Sequence, residues 1–209
     1  MGRADTKAAT REALVDAALA EFALHGLDGS SLDAICARAG FTRGAFYVHF
    51  VDRDALLVAV MERVIGAWLA IIVDTADPGQ DLEATIDRFA DAFAGLLRGE
   101  ATSPALEASA QHFHLVLEAC RRSDVVRGRF TAMLGAGTAA IAAIGRAGQR
   151  AGTVRADLDA EASAPLLTAL VLGLLAMVEA GVPIDPKALS RAVRQLALMP
   201  ALPSAPSSS

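Results

Sequence analysis

Between Ser30 and Arg53 the chain reads SSLDAICARAGFTRGAFYVHFVDR, and no carboxylate occurs between Asp33 and Asp52. Within that gap stand Arg43, Tyr47 and His49. These are donors for phosphate oxygens, and an arginine at position 43 has the fork that hydrogen-bonds a guanine edge in the major groove. Gly44 and Ala45 beside it are small enough for close approach to base edges. A surface that meets phosphate must exclude Asp and Glu, and this stretch does so locally. The chemistry implied is recognition of double-stranded DNA, with Ser31, Thr42, Arg43, Gly44, Ala45, Tyr47 and His49 as the contact set. An αα-hairpin with a solvated face is the plainer reading of the same residues.

Other constellations suggest catalysis and do not sustain it. His112 and His114 resemble a metal pair, yet residues two apart on a helix point about 200° apart around its axis. His114 and Glu118 share a face, where a surface pair or a polar pocket wall is the simpler reading, and no metal is expected. Gly135, Gly137 and Ala140 fit a dinucleotide GxGxxA with Asp157 and Asp159 downstream. That motif has meaning only between a strand and a helix, and GRFTAMLGAGTAAIAAIG reads as helix throughout. No Ser/His/Asp or Cys/His signature is present. The chain reads as a non-enzyme without cofactor. Cys36 is a small buried hydrophobe. Cys120 adjoins Arg121 and Arg122, whose charge lowers a thiol pKa, so an oxidation-responsive regulator is one alternative and a helical nucleotide-binding enzyme around Gly135 another.

The elements that must position the DNA-facing residues follow from local signals. Ser30 or Ser31 caps a helix running to about Ala39, with Asp33 near the positive end of its dipole and Gly40 where a left-handed residue ends it. Thr42 caps a second short helix from Arg43 to about Val48, and Phe46 and Phe50, four apart, face inward. Ahead of these, Leu14, Ala18 and Phe22 step by four along a helix expected from about Lys7 to His25, stopped by Gly26. Arg3, Lys7 and Arg11 form either an arm that touches phosphate or the minor groove, or a frayed terminus. Asp52 caps a long helix from Arg53 to about Val73, and further helices are expected near 81–98, 104–120, 124–149, 160–180 and 186–199. Nothing alternates like a strand.

Composition sets bounds. In 209 residues, 54% are hydrophobic and 21% charged, which describes a globular chain, and a net charge of −5 argues against general polyanion binding. Charged residues interrupt the N-terminus before any signal-peptide core, and the longest uncharged run, 162–178, falls short of the roughly 20 residues of a membrane span. With two thiols in no metal spacing, a cytoplasmic location is expected, with no membrane partner.

The run G-F-T-R-G-A-F-Y-V-H-F-V-D-R-D-A-L-L, Gly40 to Leu57, resembles the signature of the TetR (tetracycline-repressor) family. RSDVVRGRF (Arg122 to Phe130) and AGTVRADLD (Ala151 to Asp159) resemble it less specifically. The resemblance implies that Arg43 to His49 is a recognition helix, that Tyr47, His49 and Arg53 contact backbone phosphates, and that Arg43, Gly44 and Ala45 are base-reading candidates. At the last phosphate position the family more often has Lys; Arg53 keeps the charge with different hydrogen-bond geometry. It also implies an all-α protein whose small-molecule effector prefers the state unsuited to the operator.

The expected division is a three-helix head at 1–52, a helical ligand-binding and dimerisation domain at 53–199 and a disordered tail at 200–209. Trp68, Phe89, Phe93, Phe113, Met133 and Met177 are either core or the wall of the ligand pocket that the resemblance implies. PLLTALVLGLLAMV, Pro165 to Val178, is apolar nearly all round, and Met133 to Ile144 is rich in Gly and Ala. A monomer's surface helix needs a polar face. A homodimer through helices near 125–150 and 160–180 is therefore expected, with Ala139 and Leu174 as partner-facing positions; the alternative is that these helices are wholly internal to one domain.

Overall fold

A computed structural model describes residues 3–72, 82–100, 106 and 112–198. Its elements are α1 (Arg3–Gly29), α2 (Leu32–Ala39), α3 (Arg43–His49), α4 (Arg53–Ile72), α5 (Leu82–Leu97), α6 (Phe113–Arg122), α7 (Asp124–Ala151), α8 (Ala160–Glu179) and α9 (Pro186–Leu198). Among the described residues there is no strand. The expectations for Pro104 and its helix, apart from Leu106, and for the tail at 200–209 lie outside the described residues. α1 starts before Lys7 and continues past His25, but Gly26 still breaks it, with φ 68° and ψ 178°. Only glycine enters that region without a steric penalty.

The chain divides into two compact units that do not follow sequence order: residues 1–67 with 103–133, and residues 68–102 with 134–209. α4 and α7 therefore contribute to both.

In the first unit, Leu14, Ala18 and Phe22 of α1 are buried together with Ile35, Phe46, Phe50, Leu56, Met61 and Val64. Phe46 and Phe50 pack with ring centroids 5.4 Å apart, as their spacing of four predicts. Truncating Phe46 to Ala should cost about 3–5 kcal/mol, enough to unfold a marginal head. Polar ties set the angles between helices. Glu21, buried on α1, accepts from Arg38 of α2 at 2.6 Å. Arg63 of α4 pairs with Glu12 and Asp16 of α1. At the α6–α7 junction the Ser123 hydroxyl donates to Asp54 of α4 at 2.6 Å and accepts from the Val126 amide at 3.3 Å, which makes Ser123 the cap of α7.

In the second unit, Leu82 and Ile86 of α5 pack with Ile144, Val154 and Ala197, and Ile141 and Ala142 of α7 pack with Ala164 of α8. Arg194 of α9 pairs with both Glu83 and Asp87, fastening α9 to α5. The small residues of α7 serve close packing. A Cβ at Gly137 would sit 2.6 Å from Leu69 Cδ2, and one at Gly148 would sit 2.4 Å from a methyl of Val154. Asp159 caps α8 by accepting from the amides of Glu161 and Ala162, both at 3.0 Å. Leu174 corrects the expectation made for it: at 4% exposure it faces into its own unit, not outward.

Candidate nucleic-acid interface and ligand cavity

α2, a three-residue corner and α3 form a helix-turn-helix built by its caps. Ser31 Oγ accepts the Ala34 amide at 3.1 Å, Gly40 ends α2 with φ 75°, and Thr42 Oγ1 accepts the Ala45 amide at 3.2 Å. Each cap oxygen uses a lone pair on the backbone, which leaves the hydroxyl hydrogen for an external acceptor such as phosphate.

With Phe46 buried, the opposite side of α3 is turned out. Arg43 and Gly44 are exposed, Tyr47 is 55% exposed, and Ala45 and His49 are half-buried. Tyr47 stands edge-on to Phe46, centroids 5.3 Å apart, so its ring is braced on the core while the residue stays exposed. Arg43 Nε lies 3.3 Å from Asp33 of α2, an exposed pair that DNA must compete with. His49 is held below the ordinary imidazole range, first by burial and then by the charges of Lys7 and Arg11. Those two cations of α1 therefore add positive potential beside α3. Arg11 is itself seated over the Phe50 ring, 5.2 Å from its centroid. Val48, left out of the contact set, is 64% exposed on the same helix and is the kind of side chain that meets a thymine methyl. Its signal in the sequence was an apolar residue between two phosphate donors.

Arg53 is placed differently from the rest. Its guanidinium donates through Nη1 to the Ser30 carbonyl at 2.7 Å and through Nη2 to the Leu27 carbonyl, and it lies over the Phe22 ring.

The second unit contains an apolar cavity of about 80 Å³ between α5, α7, α8 and α9. Its wall includes Phe89, Phe93, Ile141, Leu170, Val171 and Val193, with Thr85 and Ser190 as its hydroxyl groups. An open groove of about 520 Å³ adjoins it, lined partly by the same Leu167, Leu170, Val193 and Ala197. Of the six residues read from the sequence, Phe89 and Phe93 line the cavity. Trp68 does not line it but packs on both rings, at 5.2 and 6.2 Å. Phe113 and Met133 fall in the first unit, and Met177 is 39% exposed. The α8 and α9 residues were missed because leucines and valines carry no mark that separates a cavity wall from a core.

Cys120 is buried, and burial pushes its thiol up; the charge of Arg127 opposes this more weakly. That is the reverse of the lowered pKa a reactive thiolate needs. Burial pushes the Cys36 thiol up as well. Among the described residues no group of three His, Cys, Asp or Glu side chains could hold a metal ion.

Comparison with known proteins gives this geometry its context. The family model described as "Bacterial regulatory proteins, tetR family" matches residues 14–60. The chain is similar to the HTH-type transcriptional repressor SCO4008 of Streptomyces coelicolor, 37% identical over 83 residues, covering 40% of this chain and 42% of that protein. It is also similar to the regulator SrpR of Pseudomonas putida, 44% identical over 52 residues, covering 25% and 24%. The matched stretches thus span less than half the length of these curated relatives. Over nearly the whole chain the fold matches SmeT, the repressor of the Stenotrophomonas maltophilia multidrug efflux pump SmeDEF, with TM-score 0.67, 26% identity and coverage of 95% and 94%. The SmeT–triclosan complex matches with TM-score 0.70, 28% identity and coverage of 96% and 100%. All three proteins are transcriptional regulators, none an enzyme. In its helix-turn-helix at residues 14–60, and in its all-helical fold over nearly the whole chain, the protein matches bacterial regulatory proteins of the TetR family.

Proposed function

We propose that this protein is a homodimeric transcriptional repressor of the cytoplasm, released from a palindromic DNA operator by a small apolar effector. The observation that carries this reading is α3: a helix without acids, it buries Phe46 and turns Arg43 and Tyr47 outward, with His49 half-buried near Lys7 and Arg11. Residues 1–52 act as the DNA-binding head, 53–199 as the effector and dimer domain, and 200–209 as a tail. Repression rests on the repressors among its relatives, and an apolar effector on the hydrocarbon-lined cavity and the triclosan complex of SmeT.

The second copy is argued from what one copy leaves uncovered. α7 and α8 are by length and composition apolar enough to cross a membrane, and in the most apolar stretch of α8 only 17% of residues are buried. Leu166, Ala169, Gly173, Ala176 and Met177 are exposed at helical spacing on α8, as are Gly135, Ala136, Ala139 and Ala143 on α7. Stripes of small and apolar residues suit helix packing against an identical pair, and a two-fold axis matches half-sites about one DNA turn, roughly 34–36 Å, apart. The effector acts by preferring the state whose heads do not fit the operator, and its differential affinity for the two states limits the effect.

The test is in vitro selection from a random-sequence duplex pool, followed by mobility shifts with neutral apolar compounds. Recovery of an inverted repeat whose complex dissociates with such a compound is expected. Selection of no sequence would remove the reading.

A further inference from the structure

Arg53 opens α4 at the position where family resemblance implies a phosphate contact, yet its fork points into the protein. Nη1 donates to the Ser30 carbonyl at 2.7 Å, Nη2 donates to the Leu27 carbonyl, and Cζ lies 5.5 Å from the centroid of the Phe22 ring. Those carbonyls belong to the end of α1 and the connection into α2, where a helix has run out of its own amide donors and carries the negative end of its dipole. The same turn is irregular, since Gly26 breaks α1 three residues before its end. Ser30 is buried there, and its hydroxyl donates to the Gly26 carbonyl at 2.8 Å. Asp28, between the two acceptors, takes a bidentate pair of hydrogen bonds from Arg122 of α6. The turn that delivers α2, and through it α3, is thus held by one arginine from α4 and one from α6.

We infer that Arg53 is a positioning residue: it fixes the α1–α2 turn, and with it the presentation of α2 and α3, and makes no phosphate contact of its own. A planar fork with separated donors can span two carbonyls in one plane. A lysine at this position offers its three donors from one nitrogen, without the two separated nitrogens that meet the Ser30 and Leu27 carbonyls here. The positive charge offered to DNA at this flank then comes from Lys7 and Arg11, whose charges reach His49. The Asp52 carboxylate, which caps α4 by accepting the Ala55 amide at 2.8 Å, further disfavours phosphate at the helix start.

The inference rests on the DNA-binding reading, and its test separates the two. Wild type, Arg53→Lys and Arg53→Gln are titrated onto a fluorescent duplex selected in vitro by the wild type, across a series of salt concentrations. Temperatures are kept well below each melting midpoint, so that every variant is folded. A phosphate ligand contributes a salt slope of roughly 0.9 per contact. A positioning residue contributes none. Expected for both variants is affinity reduced on the order of tenfold at every salt with the slope of the wild type, because base-edge bonds depend on alignment. Faster exchange of the Ala34 and Ile35 amides, which are bonded to Ser31 at the start of α2, accompanies it. Wild-type affinity in Arg53→Lys, or a slope shallower by roughly 0.9 per protomer in Arg53→Gln, would overturn the inference. If the wild type selects no sequence, the DNA reading fails instead, while unchanged amide exchange in both variants would still refute the fastening of the turn.

Discussion

The indole of Trp68 lies against the ring of Phe89, centroids 5.2 Å apart and planes at 48°, and Phe89 in turn lines the apolar cavity of the second unit. Trp68 is the single tryptophan of the chain, so its emission reports on that cavity.

A neutral apolar compound that binds there should change Trp68 emission and raise the melting temperature, stabilising the fold by about 2.7 kcal/mol at a hundred times its Kd. Val193→Trp fills the wall shared by cavity and groove and should abolish both responses, at an overpacking cost of about 1–3 kcal/mol. Fluorescence titration beside calorimetry checks this; a full response in the filled variant places the effector elsewhere.

Charge at the exposed stripes should separate the copies without unfolding them. Ala139→Arg and Leu166→Glu are expected to give folded monomers by light scattering, with operator affinity lost. Leu174→Glu should behave otherwise, because that side chain is buried within one copy and an unpaired carboxylate there is costly. Its expected signature is a collapsed melting temperature. A wild-type monomer at micromolar concentration would contradict the dimer.

Arg43 is held 3.3 Å from Asp33 across the helix-turn-helix. If Arg43 reads a base, Arg43→Ala relaxes selectivity at one operator position by about 1–3 kcal/mol. Asp33→Asn releases the arginine and should tighten binding, modestly, since exposed pairs are worth little. Mobility shifts on single-base operator variants measure both effects.

His49 has its pKa pushed down by burial, with Lys7 and Arg11 adding to the effect. Phosphate beside it would favour the imidazolium, so the bound state holds more protons than the free protein. Affinity should therefore rise as pH falls from neutrality toward the lowered pKa, and His49→Gln should flatten the profile. Without DNA the sign reverses: the unfolded chain binds the extra proton, so this group lowers stability as pH drops below the ordinary histidine range. Binding isotherms and thermal melts over one pH series test both halves.

Much of the head was legible without tertiary information because its signals are local. The Ser31 and Thr42 caps, Gly40 in the left-handed region, the Phe46 and Phe50 pair and the helix boundaries depend on hydrogen bonds and spacings spanning a few residues. An acid-free run is likewise a property of consecutive residues, and it marks the outward side of α3 before any coordinates exist. The same locality explains why GxGxxA around Gly135 could be set aside: the surrounding residues form helix, and Gly137 serves close approach of Leu69.

Directions of long side chains and membership of a cavity were decided only by packing. Arg53 could face DNA or the protein until the α1–α2 turn placed two carbonyls within its reach, from positions 23 and 26 residues away. Leu174 and Leu166 sit on one apolar helix, yet only the neighbours determine that the first is buried and the second 72% exposed. Phe89 and Phe93 become cavity wall because α9 returns across α5, tied by Arg194 to Glu83 over 111 residues of sequence. Sequence by itself determined the helices, their caps and the charge character of α3, since short-range hydrogen bonding and sterics act along the chain. Tertiary structure decided which equally apolar residues enclose space and which charges are spent inside the protein, since those outcomes depend on contacts between segments that no local pattern encodes.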